Sequence, residues 1–158
     1  MNNFRDFYND NRERLFAYIL RRSGDYQLAA DISQESFTRY LEHYKKREAS
    51  VSLLFTIARN LFYDNARRQQ PTVPFEDNQH KGRHDQESSF LIREESRQVL
   101  NGLQQLDPKD ADILALVVSS GLSYREIAEI TGTSEANIKV KVHRCRCKLR
   151  KTLSTGGL

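Results

Sequence analysis

Tryptophan is missing from the 158 residues, methionine occurs once, and cysteine occurs twice, at Cys145 and Cys147. Two thiols one residue apart in a basic stretch are too few for a secreted disulfide scaffold, so reduced thiols are expected. No apolar run approaches the roughly 18 residues needed to cross a bilayer, which excludes a chain that spans the membrane as a helix. The first ten residues mix charges with aromatics and contain no continuous apolar stretch, so they do not read as a signal peptide and the expected compartment is the cytoplasm. A glycine-rich phosphate loop, a nucleophile motif and suitably placed paired carboxylates are all lacking, and no catalytic residue or cofactor is expected. Proline is confined to Pro71, Pro74 and Pro108.

What is present is charge, unevenly spread. The net +4 divides into residues 1–70 with 12 basic and 9 acidic side chains, residues 71–90 with 2 and 4, and residues 91–158 with 11 and 8. Two basic blocks therefore flank an acidic joint. The joint, starting at Pro71, is almost wholly polar and has no apolar period, so it reads as a flexible linker over 71–88. Eighteen extended residues reach up to about 60 Å, so the two blocks need not touch.

Both blocks read as helical. In the first, Phe4, Phe7, Tyr8, Leu15, Tyr18 and Ile19 share a stripe interrupted at Asn11, and Ser23-Gly24-Asp25 breaks it. A second helix carries Leu28, Ala29, Ile32, Phe37, Tyr40, Leu41 and Tyr44; a third runs from about Ser52 to Gln70 with Leu54, Ile57, Ala58, Leu61 and Phe62 inward, and Pro71 stops it. In the second block a helix from about Ser89 presents Leu91, Ile92, Val99, Leu103 and Leu106. Asp107-Pro108-Lys109-Asp110 opens the next, with Ile113, Leu114, Leu116, Val117 and Val118, and Gly121 ends it. Ser123 to Glu126 fits a capping box, Gly132 closes that short helix, and Ser134 caps a last helix from Glu135 to about Leu153. The expected fold is all-α: an N-terminal helical bundle over 1–70 and a C-terminal four-helix domain over 89–158.

Tyr124 to Val142 has the layout of a helix-turn-helix. Ile127 and Ala128 face inward, Gly132 stands at the turn, and Ile138 faces the core from the following helix. From Ile138 to Lys151 that helix holds seven basic residues and no acidic one, whereas a merely solvated helix normally mixes signs. Phosphate binding is the expectation. Side chains near its start, Glu135, Asn137, Lys139, Val140 and Lys141, are placed to meet base edges, and Arg144 and residues beyond suit backbone phosphates. The third helix of the first block bears Arg59, Asn60, Tyr63, Asp64, Arg67 and Arg68, a mixture suited to unpaired bases as well as duplex. His143 and Cys147 share a helix face and His80 and His84 are four apart, but the second pair lies in the joint, apart from the first, and no metal site is expected.

Asp31-Ile-Ser-Gln-Glu-Ser-Phe-Thr-Arg-Tyr, Leu54-Phe-Thr-Ile-Ala-Arg-Asn-Leu, Gly121-Leu-Ser-Tyr-Arg-Glu-Ile-Ala-Glu-Ile-Thr-Gly and Ile138-Lys-Val-Lys-Val-His-Arg-Cys-Arg-Cys-Lys-Leu-Arg resemble stretches of small bacterial RNA polymerase sigma factors of the extracytoplasmic-function group, in the sigma-70 family. The resemblance covers nearly the whole chain in the expected order. It implies a transcription initiation factor that binds core RNA polymerase and directs it to promoter DNA. By that resemblance Asp31, Gln34, Glu35, Thr38 and Arg39 dock on the coiled coil of the polymerase clamp. Lys46, Arg47, Ser50, Arg59, Asn60, Tyr63 and Arg67 would engage and melt the −10 element, and Ser134, Glu135, Asn137, Lys139, Lys141 and Arg144 would read the −35 element. An anti-sigma factor as partner is implied as well, with no small-molecule substrate. Leu53 stands where the family usually has Trp, Ser33 where it has an aliphatic residue, and Val140 where a small polar residue is frequent. The rival reading is a stand-alone helix-turn-helix regulator of an operator, which calls for a ligand-binding or dimerisation element that the first block does not display.

Overall fold

The computed structural model describes residues 4–44, 48–69 and 94–156. All regular structure among them is helical: α1 (Phe4–Ser23), α2 (Tyr26–Tyr44), α3 (Val51–Gln69), α4 (Glu94–Gln105), α5 (Pro108–Ser119), α6 (Tyr124–Thr131) and α7 (Glu135–Gly156). The acidic joint, His80, His84, Lys46 and Arg47 lie outside the described residues, as do Leu91 and Ile92 of the expected fourth helix.

The helix ends follow local chemistry. Gly24, at φ +68°, donates its N–H to Leu20 O at 2.7 Å and closes α1, and the Asp25 carboxylate accepts from Leu28 N to open α2. Ser50 accepts from Leu53 N at 3.1 Å through its hydroxyl, while its own N–H donates to the Tyr40 hydroxyl at 2.9 Å, so the start of α3 is tied to α2. Asp107 caps α5, with Pro108 in the first turn. At α6 the capping box is complete: Ser123 accepts from Glu126 N and the Glu126 carboxylate accepts from Ser123 N, at 3.1 and 3.0 Å. Gly132 then takes φ +76°, and Ser134 accepts from Asn137 N to start α7.

In the first block the core is Leu15, Tyr18, Ile19, Ala29, Leu54, Phe55 and Ala58, all fully buried. An aromatic layer covers one end, with Phe7 stacked on Tyr40 and Tyr8 edge-on to Phe37, both at 4.7 Å between centroids. In the second block Leu103, Leu114, Leu116, Ile127, Ile138, Val142 and Cys145 are buried. The i, i+4, i+7 spacing of Ile138, Val142 and Cys145 puts one face of α7 inward and leaves its cations outward.

Several expectations need correcting. Asn11 does not interrupt the α1 stripe: it is buried in it, its amide donating to Phe7 O at 2.9 Å, which satisfies the group at no cost to packing. Phe55 is fully buried whereas Ile57 and Leu61 are only partly so; α3 meets both α1 and α2 and its inward arc is broader than a single stripe. Leu41 and Val118 are exposed, the latter at 48%. The two blocks, which by linker length need not touch, pack together: α1 lies against α4 and α5, and α3 against α6.

Candidate polymerase and nucleic-acid interfaces

On α2 the sequence pattern places Ile32, Phe37 and Tyr40 inward, and Asp31, Gln34, Glu35, Thr38 and Arg39 are all exposed on the opposite side. Their bonds are local: Gln27 donates to Asp31 at 3.0 Å, Arg39 to Glu35 at 2.9 Å, and Thr38 to Gln34 O at 3.0 Å. Exposed pairs of this kind contribute little to stability and are readily exchanged for a partner's groups. Gln34 also lines a groove of about 290 Å³ with Tyr8, Arg12, Phe16, Tyr26 and Ser33. Ser33 is buried, and its hydroxyl has no hydrogen-bond partner among the described residues.

Between α2 and α3 a cleft of about 460 Å³ brings Glu35 and Arg39 together with Tyr44, Ile57, Asn60 and Asp64. Residues assigned to the polymerase-facing and −10 groups therefore meet at one surface. Asn60 and Arg67 are exposed, and Arg67 is paired with Asp64 one turn before it. Arg59 and Tyr63 are different. The Arg59 guanidinium lies 5.0 Å from the Tyr63 ring centroid and donates to Asp112 of α5 at 2.6 Å and to Ile130 O of α6 at 3.4 Å. Burial by itself would lower the Arg59 pKa, but the hydrogen bond and charge of Asp112 outweigh it and the group is held cationic.

Asp112 organises a cluster the sequence did not reveal. It is 1% exposed, and its carboxylate accepts from the Tyr18 hydroxyl, from Arg22 at 3.3 Å and from Arg59. Arg22 in turn lies over the Phe62 ring at 4.7 Å and donates to the Tyr63 hydroxyl at 3.1 Å. Burial, then the neighbouring Asp112 charge and hydrogen bond, push Tyr18 well above the ordinary tyrosine range, so it stays a neutral donor. The one available signal was the placement of an acid directly before the apolar run Ile113 to Val118, where a charge is expensive unless paired.

On α7, Ser134 is the cap, Glu135, Lys139, Val140 and Arg144 are exposed, and Asn137 donates to the Thr133 hydroxyl at 2.7 Å, stiffening the turn. Lys141 leans back to Asp110 at 3.0 Å, so it stands apart from Lys139 and Arg144 on the outer face. Val140 is 45% exposed between these cations.

The thiols separate cleanly. Cys145 is fully buried, and burial followed by the Asp110 charge pushes its pKa up; Cys147 is partly exposed, with Sγ 3.7 Å from His143 Nε2. A thiol reagent should therefore modify one cysteine quickly in the folded protein and the second only after denaturation; rapid reaction of both in native buffer would contradict this packing.

Among the described residues no helix is long and apolar enough to cross a membrane, and no three His, Cys, Asp or Glu side chains gather as a metal site. Residues 7–72 match the family described as Sigma-70 region 2, and residues 96–149 match Sigma-70, region 4. The ECF RNA polymerase sigma factor EcfG of Rhodopseudomonas palustris (strain TIE-1) is 35% identical over 150 residues, covering 90% of this chain and 81% of that protein. RNA polymerase sigma factor YlaC of Bacillus subtilis (strain 168) is 27% identical over 157 residues, covering 94% and 91%. In fold, the chain is similar to the sigma factor RpoE in its co-crystal structure with the anti-sigma factor NepR from Bartonella quintana, with a TM-score of 0.71 at 23% identity over 96% of each chain. The chain belongs to the extracytoplasmic-function group of sigma-70 family RNA polymerase sigma factors, a non-enzymatic family whose members bind core polymerase and direct it to promoters.

Proposed function

We propose that residues 1–70 carry core-polymerase and −10 recognition, that 89–158 carry −35 recognition, and that 71–88 join them. The observation that carries this division is the outer face of α7, where Lys139, Arg144, Arg146 and Arg150 stand exposed behind a capped helix-turn-helix while Ile138, Val142 and Cys145 fill the opposite face. Such a helix meets the major groove with its first turns at base edges and its later cations along phosphates. Val140 adds an apolar contact of the kind that fits a thymine methyl. The exposed polar side of α2, from Asp31 to Arg39, faces the clamp's coiled coil, and Asn60, Tyr63 and Arg67 with Arg59 and the Lys46–Ser50 loop take the −10 strand, where an aromatic and cations offset the cost of unstacking. A factor that acts with core polymerase on promoter DNA is expected in the cytoplasm. The complex of RpoE with NepR supports an anti-sigma factor as a further partner.

A reconstituted reaction tests this reading. The protein should co-elute with core polymerase and yield transcripts from discrete start sites whose upstream DNA shares two short elements. DNA binding without polymerase association would favour the operator-binding rival.

A further inference from the structure

The inward face of α7 is set by Ile138, Val142, Cys145 and Leu149, at spacings of four, three and four residues. The same spacing recurs two residues earlier in Ala136, Val140, His143 and Cys147. Two residues turn a helix by about 200°, so this second stripe runs along the side opposite the core. Ala136, Val140 and His143 are exposed and Cys147 is partly so. The stripe holds no Lys, Arg, Asp or Glu. The cations stand on its two flanks, Lys139, Arg146 and Arg150 along one and Arg144 and Lys151 along the other.

A helix that is merely solvated gains nothing by keeping its outermost line uncharged while crowding cations beside it. A major groove imposes that division, because its walls are phosphate backbones and its floor is base edges. The flanking cations then meet the two strands and the stripe meets the floor, with the long side chain of Lys139 still able to reach a base edge from its flank. Ala136 and Val140 offer only methyl groups, which match the C5-methyl of thymine. They stand four residues apart, about 6 Å along the axis and nearly two base-pair steps of B-form DNA. His143 offers an imidazole nitrogen. Its Nε2 lies 3.7 Å from Cys147 Sγ, so the ring lies along the stripe and not out toward the flanking phosphates.

We infer that this uncharged stripe sets the base preference of the −35 domain: Ala136 and Val140 read the methyls of two nearby thymines, His143 donates to a purine N7, and Cys147 is a positioning residue for the His143 ring. The inference rests on the assignment of α7 to the −35 element and adds to it the bases that the helix selects. Cations on the flanks supply affinity that is nearly independent of sequence, and the stripe supplies the discrimination.

The test uses the full chain with core polymerase on a promoter mapped from its start sites, each thymine of the −35 element on either strand being replaced in turn by uracil. That exchange removes one methyl and leaves pairing intact. The wild type should lose about fourfold in affinity at each of two thymines one or two base pairs apart, as burial of a single methyl predicts. Val140→Ala should bind the unmodified promoter about fourfold more weakly and show no further loss at one of those thymines, whereas Val140→Thr, which keeps a methyl, should still show it. Ala136→Gly should abolish the uracil penalty at the other thymine, whatever general weakening the softer helix brings. His143→Ala should become indifferent to 7-deaza substitution of one purine that costs the wild type affinity; Cys147→Ala should reduce that dependence and Cys147→Ser retain it. Val140→Ala should leave the slope of log affinity against log salt unchanged, which a lost phosphate contact would flatten. Uracil substitutions without effect on the wild type, or a penalty that Val140→Ala leaves intact at every thymine, would overturn the stripe as the base reader while binding to the promoter persists. A wild-type holoenzyme indifferent to every base of the −35 element would overturn the assignment of α7 and the stripe with it.

Discussion

Replacement of Phe55 by alanine should cost about 3–5 kcal/mol of stability, the largest effect expected of any single truncation in the first block. The ring is fully buried, it lies 5.8 Å centroid to centroid from the equally buried Tyr18, and α3 contacts both α1 and α2. The loss combines the transfer free energy of the ring with that of a cavity that three packed helices cannot collapse around. Function should suffer in a particular order. Phe55 is on the same helix as Arg59, Asn60 and Tyr63, so loosening α3 should disorder the proposed −10 surface first. The second block has its own buried set around Leu116, Ile127 and Ile138, and it should keep its affinity for −35 duplex. Denaturant titration with separate reporters in each block measures both. A cost under about 1 kcal/mol, or equal loss of folding in the two blocks, would show that the core is organised otherwise.

Joint replacement of Lys139 and Arg144 by alanine should lower −35 affinity by roughly 10- to 100-fold, from about 1–3 kcal/mol for a base-reading contact together with a lost phosphate contact. Both side chains are exposed on α7 and neither packs into the core, so folding should be unaffected. Removal of the Arg144 phosphate contact should also flatten the dependence of log affinity on log salt by about 0.9. Binding to core polymerase, assigned to α2 some distance away in the chain, should be unchanged. Anisotropy titrations with the mapped −35 duplex at several salt concentrations measure the slope; an unchanged slope for Arg144→Ala alone would strike it from the phosphate contacts. Lys141→Ala is the useful control. Its ammonium is spent on Asp110, and its effect should be smaller than that of Lys139→Ala.

These expectations differ in how much of their basis was legible before the fold. Helix starts and stops were, because a cap needs only the residues beside it: Asp107-Pro108, the Ser123 and Glu126 pair, and Gly132 at positive φ all act within four residues. The cationic face of α7 was legible for the same reason, since 3.6-residue periodicity separates Ile138, Val142 and Cys145 from Lys139 and Arg144 without any tertiary information. Phe55 was missed because the breadth of an inward arc depends on how many neighbours a helix has, and a periodic pattern assumes one. Asn11 was misread because polarity alone does not say whether an amide finds a partner, and here its own helix supplies one at Phe7 O.

Asp112 marks the boundary between the two kinds of knowledge. By itself the sequence determined seven helical segments in two blocks, the turn between α6 and α7, and the sign of the outer face of α7, all consequences of interactions short along the chain. Only the tertiary structure decided that Tyr18, Arg22 and Arg59, up to 94 residues away, converge on one carboxylate and so bring the two blocks into contact. A buried charge is tolerable only where opposite charges and donors surround it, and which groups those are depends on how the helices pack, not on which residues stand next to each other in the chain.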